Sequence, residues 1–184
     1  MKHLLEFQTV DAFTTSKDSL DKPNISLVNE NGNVYSLMGG GAIDRKITSV
    51  KYGTVCLPWN AWVPDGVIVK TVTSYTQDGD KVSASLQDYT NPQGTSGKTV
   101  IPANTGFIIY SETPGTYTFT YSWMNAEAPE SNLLSGNPKQ TSASPGENAG
   151  YIFVLANKSQ GLGFYHLASG QMIAPNCAYL VLKP

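Results

Sequence analysis

Charge is scarce in this chain. Charged residues make up 14% of its 184 positions, against roughly 25% in an average domain. Arg45 is the sole arginine, so no arginine cluster exists to fork phosphates or read guanine edges. A net charge of −2 supplies no basic field, and no nucleic-acid partner is expected. Two histidines, His3 and His166, and two cysteines, Cys56 and Cys177, are scattered with no C-x-x-C or H-x-x-x-H spacing. A zinc site needs a close set of three or four ligands, so neither a metal nor a cofactor is expected. No apolar run is long enough for a membrane span. The stretch Met1–Glu6 has no apolar core or cleavage site of a signal peptide, which predicts a chain that stays in the compartment where it is made. No G-x-S-x-G elbow, Cys-His signature or phosphate-loop motif is present, so no catalytic residues are expected and the chain reads as a non-enzyme.

What remains is turn-rich and apolar enough to fold: 17 glycines, 11 prolines and 40% hydrophobic residues. The expected class is mainly β, a small N-terminal β-α-β-β unit followed by an antiparallel β-sandwich. Residues 1–38 form the first unit. His3–Gln8 is a strand candidate. Thr9 is a helix N-cap with Asp11 in the first turn, and Val10, Phe13, Lys17 and Leu20 follow at helical spacing until Pro23. Asn24–Val28 and Asn33–Leu37 flank Asn31-Gly32, a strong hairpin signal because both residues tolerate positive φ. A unit this short buries too little to stand alone. Its apolar residues, Phe7, Phe13, Leu20, Ile25, Leu27, Val34 and Tyr35, are the candidate docking set.

Gly39-Gly40-Gly41-Ala42 opens a Gly-rich hinge over 39–46. From 47 to 184 short β-branched runs alternate with Pro, Gly and Asn turns, the pattern of a sandwich. Strands are expected at Thr54–Leu57, Val67–Thr73, Lys81–Leu86, Thr99–Ile101, Gly106–Tyr110, Thr116–Tyr121, Tyr151–Ala156, Gly161–His166 and Ala178–Leu182, with long loops over 125–150. Ile101–Ile109 echoes Ile173–Val181: each has Ile, Pro and Asn before a small residue, an aromatic and two aliphatics. Two equivalent strands are implied. Both cysteines sit in apolar runs and read as buried free thiols.

Carboxylates at Asp65, Asp78, Asp80, Asp88, Glu112, Glu127, Glu130 and Glu147 lie in turns and loops, where they serve as solvated turn formers. His166 is expected to face solvent. Trp59, Trp62, Trp123, Tyr89 and Tyr121 lie nearest the loops. Such rings either plug the sandwich ends or stack on sugars and partner surfaces. Trp62, Trp123, Tyr121 and Tyr89 are the candidate stacking set, with Trp62 expected to be exposed and Tyr121 and Trp123 on one strand face.

Two resemblances follow from ordered motifs. Tyr52–Pro58, Val63–Val67, Ile101–Gly106, Gly115–Phe119, Asn132–Gly136, Gly161–Tyr165 and Ala178–Leu180 resemble, over about residues 47–184, a β-sandwich module of Bacteroidetes surface and secreted proteins. That module is an accessory or adhesive domain. Leu4–Phe7, Lys17–Leu20, Pro23–Val28 and Val34-Tyr35 are similar to an N-terminal segment of virion proteins from Bacteroides-infecting, crAss-like phages, where it precedes varied downstream domains. The match departs at Tyr35-Ser36-Leu37. Together the resemblances imply a virion structural protein of head-fibre or decoration type, made in the host cytoplasm and carried on the virion surface. Other capsid or tail proteins and a second or third copy of the chain are its implied partners, and a host glycan its implied ligand. The alternative is a carbohydrate-binding or accessory domain of a bacterial surface or secreted protein.

Overall fold

The structure is a computed structural model that describes residues 24–28, 34–38, 41–93, 97–139, 142–146 and 151–182. It divides into two compact units, Met1–Ala42 and Ile43–Pro184. In the first, β1 (Asn24–Val28) and β2 (Val34–Met38) pair antiparallel, with Val28 opposite Val34, Leu27 opposite Tyr35 and Ile25 opposite Leu37. The expected strand at His3–Gln8, the helix over 10–20, the Asn31-Gly32 turn, and Phe7, Phe13 and Leu20 lie outside the described residues.

The second unit is an antiparallel β-sandwich. Among the described residues its smaller sheet has five strands: β3 (Ala42–Ile47), β5 (Ala61–Trp62), β8 (Pro92–Gln93), β9 (Lys98–Ile101) and β11 (Gly115–Tyr121), in the order β3-β11-β5-β9-β8. Ala42–Ile47, which the glycine pattern assigns mostly to a hinge, is therefore a strand. Asp44 there accepts a hydrogen bond from the Thr118 hydroxyl on β11 at 2.6 Å. The larger sheet has eight strands among the described residues. They are β4 (Tyr52–Val55), β6 (Ile68–Asp78), β7 (Lys81–Asp88), β10 (Phe107–Tyr110), β12 (Leu134–Asn137), β13 (Ile152–Lys158), β14 (Gly161–His166) and β15 (Cys177–Val181). Their order is β12-β15-β13-β14-β7-β6-β10-β4.

That sheet rolls up. Strand period 2 sends successive side chains to opposite faces, and β10 shows both faces filled. Phe107 and Ile109 enter one core with Val55, Leu57, Val69, Ile101 and Phe119, between the two sheets. Ile108 enters a second core with Val72, Val82, Phe153, Phe164 and Leu180, inside the roll. A glycine at 106 permits the close approach that the roll demands. A Cβ at Gly106 would stand 2.7 Å from the Ser135 carbonyl oxygen and 2.8 Å from the Ala178 Cβ. Asn132 then fixes the contact: its Nδ2 donates to the Gly106 carbonyl at 2.8 Å, while its Oδ1 accepts from the Val72 and Leu134 amides. A third, smaller core of Ile152, Leu167 and Ile173 covers the outer face of β13 and β15.

The internal echo has a conformational basis. Asn104 and Asn176 both adopt positive φ, 57° and 52°, which Asn tolerates better than most residues. They bend the chain into β10 and β15. The equivalent residues Ile108 and Leu180 meet in the same core.

Candidate functional site

The aromatic residues separate into two groups. Tyr89 packs on Phe107 with ring centroids 4.9 Å apart and donates its hydroxyl to the Glu127 carbonyl at 2.6 Å. Tyr121 packs edge-on against Trp59 at 6.4 Å, and Trp59 is itself buried. These three belong to the core between the sheets. Trp62 lies on β5 between the inward-facing Ala61 and Val63, so period 2 turns it to the outer face of the five-stranded sheet. It is half-buried there. Trp123 is the exposed one, at 76%, beyond the end of β11. The expected sharing of one face by Tyr121 and Trp123 does not occur, because the strand ends at Tyr121 and the chain turns at Ser122, whose hydroxyl accepts from the Met124 amide at 3.2 Å. Ile25, Leu27, Val34 and Tyr35 of the docking set lie on β1 and β2.

The carboxylates are dispersed. Asp65 pairs with Lys98 at 3.0 Å, Asp88 with Lys70 and Glu112 with Lys51. Asp78 and Asp80 flank the tip of the exposed β6–β7 hairpin. Glu127 and Glu130 are exposed, and Glu147 lies outside the described residues. Among the described residues no three of His, Cys, Asp and Glu gather into a metal-holding group. His166 is exposed, edge-on to the Phe153 ring at 5.5 Å. Glu112 accepts from both Lys51 and Tyr110, and these hydrogen bonds, the Lys51 one first, hold its carboxyl below the usual range. Among the described residues no helix is long and apolar enough to cross a membrane.

Two solvent-open hollows lie where the rolled sheet fails to close. They adjoin one another, with volumes of about 460 and 370 Å³, and share Thr54, Leu155 and Cys177. Arg45 lines the smaller one. From β3 its guanidinium reaches the open edge of β4. Nη2 donates to the Thr54 carbonyl at 2.8 Å and to the Cys177 sulfur at 3.0 Å, and Nη1 reaches the Pro175 carbonyl at 3.5 Å. Its Nε is buried with no acceptor among the described residues. The composition marks Arg45 only as a solitary cation. Its partners are two backbone carbonyls and a thiol far along the chain, and no local motif reports such a site.

Both cysteines are free. Cys56 is fully buried, and Cys177 is half-buried on β15. Burial pushes the Cys56 thiol up to about 12, with nearby Cys177 a lesser cause. Burial also raises Tyr89 and Tyr179. Each folded-state pKa lies above its unfolded value. The stability these groups confer is therefore complete below the unfolded pKa values and lost as pH rises through the folded ones. Urea midpoints measured from pH 8 to 10.5 are expected to fall, with Cys56 contributing about 2 kcal/mol at the upper end. Cys56→Ala is expected to flatten the alkaline limb. A midpoint independent of pH over that range would contradict the burial of these groups.

Compared with known proteins, the chain matches no family model, no curated protein and no solved structure.

Proposed function

We propose that this chain is a non-enzymatic structural subunit of a phage virion, of head-fibre or decoration type. Residues 1–38 dock on capsid or tail proteins, and the sandwich projects outward to meet the host surface. The division of the chain near Ala42 carries the reading. A short hairpin-bearing unit precedes a sandwich that contains cores of its own. That is the organisation of an anchor joined to a displayed domain. The two motif resemblances, covering residues 2–37 and 47–184, support it from the sequence side. A virion fibre or decoration subunit of this kind assembles as a dimer or trimer. The exposed Trp123 ring is the candidate contact for a host glycan, since an exposed indole stacks on a sugar face.

Antibody raised against the full chain, applied to purified particles of the phage encoding it and viewed by negative-stain electron microscopy, tests the proposal. Regular labelling on heads or tails is the expected result. Bare particles, with the protein on bacterial surfaces instead, would overturn it. That outcome favours the second reading, a glycan-binding accessory domain, for which Trp123 is the motivating observation.

A further inference from the structure

We propose that a row of side chains at one end of the roll, Tyr52, Tyr110 and Ile68, is a platform for a sugar ring of a neutral glycan. The proposal rests on the glycan part of the reading above, not on its virion part. It adds a contact that does not involve Trp123.

Strand register builds the row. Tyr110 on β10 lies directly opposite Tyr52 on β4 and directly opposite Ile68 on β6. Residues opposite one another in antiparallel strands project from the same face. The three side chains therefore form one line across three adjacent strands. Ile108, two residues before Tyr110, points into the inner core, so period 2 places the line on the inner face of the roll. Solvent reaches it there. Ile68 is 43% exposed, Tyr52 and Tyr110 are half-buried, and Tyr52 also lines the smaller hollow. The two phenol rings stand 4.9 Å apart between centroids, tilted at 51°. Rings and an aliphatic side chain in one line, partly in water, offer an apolar surface to the C–H face of a sugar.

The groups around the row select the ligand. Glu112 accepts from Lys51 and from the Tyr110 hydroxyl. Lys70, in the next row along β6, pairs with Asp88, and its Nζ stands 5.8 Å from the Tyr110 ring centroid. Two lysines and two carboxylates cancel in charge, so an ionic ligand meets no net counter-field. An ion pair sets donors beside acceptors, the arrangement that neighbouring sugar hydroxyls require. Glu112 and Asp88 are both exposed, and a carboxylate with about four acceptor positions keeps some free after pairing. Size excludes a protein partner on this row alone. Three strands span about 10 Å, room for a sugar ring, whereas a stable protein interface takes about 800 Å² from each side.

Native gels of the full chain cast with mannan, xylan, amylopectin or laminarin test the proposal, with heparin as the anionic control. Retardation by at least one neutral polysaccharide is expected, and none by heparin. Ile68→Glu, a change at an exposed side chain, and Tyr110→Ala should each weaken the apparent affinity at least about fivefold. Trp123→Ala should leave it within about twofold. On the native protein, an oligosaccharide cut from the retarding polysaccharide should shift the Ile68 methyl signal in a carbon–proton correlation spectrum, the signal being assigned by its loss in Ile68→Ala. No retardation by any of the four, equal retardation by heparin, or an unmoved Ile68 methyl would overturn the platform. The methyl readout decides whether or not a variant folds. Retardation lost in Trp123→Ala but kept in both platform variants would also overturn it, and would leave the Trp123 contact standing.

Discussion

Phe107→Ala is expected to lower the free energy of unfolding by about 3–5 kcal/mol, the usual cost of emptying a fully buried aromatic site. Phe107 is completely buried and contributes to the core between the two sheets. Its ring lies at 45° to Tyr89 with centroids 4.9 Å apart, an arrangement worth about 0.5–1.5 kcal/mol beyond the area buried. Collapse into the vacated space is hindered, because the β10 backbone is hydrogen-bonded on both sides, to β4 and β6. Urea denaturation provides the measurement. Ile68→Ala, at a side chain 43% exposed, is the control and should cost much less. A Phe107→Ala loss below about 1 kcal/mol would refute the packing of the two sheets around β10.

Gly136→Ala should be comparably damaging for the opposite reason. The site has no room. A Cβ there would stand 2.5 Å from the Cys56 Cβ, closer still to its sulfur, and 3.4 Å from the Cys177 carbonyl oxygen. Cys56 is completely buried and has no open space to swing into. Strand β12 must therefore move away from the β4 end of the sheet, carrying Leu134 out of the inner core. Overpacking of this kind costs typically 1–3 kcal/mol, and the value here is expected to be about 3 kcal/mol. The cause is identified by a double-mutant cycle. Cys56→Ala removes the sulfur but leaves its Cβ, so the pair should show a favourable coupling of about 1–2 kcal/mol rather than additivity. Additive losses would mean that the clash is not what destabilises Gly136→Ala.

Much of the β architecture is legible from local pattern. Lys81–Leu86, Gly106–Tyr110 and Gly161–His166 lie within about two residues of β7, β10 and β14, because β-branched and aromatic runs bounded by turn residues carry their own signal. Leu134–Asn137 does not. The sequence Leu-Ser-Gly-Asn has one apolar side chain, and it becomes strand β12 only through pairing with β15. Ala42–Ile47 is hidden by the glycines before it, although Ile43 and Ile47 alternate inward. The aromatics show a deeper limit. Proximity to a loop does not distinguish Tyr121, packed on Trp59, from Trp123, left in solvent, since the difference lies in where β11 stops. Arg45 is the extreme case. Its surroundings come from residues 9 to 132 positions away, and no window of sequence contains them.

The double-sided burial of β10 has a consequence for how this unit comes apart. The strand is a party wall: Phe107 and Ile109 belong to one core and Ile108 to the other. Loss of this wall opens both cores at once. Unit two is therefore expected to melt in a single cooperative transition, and its two sheets are not modules that could be exchanged or deleted separately.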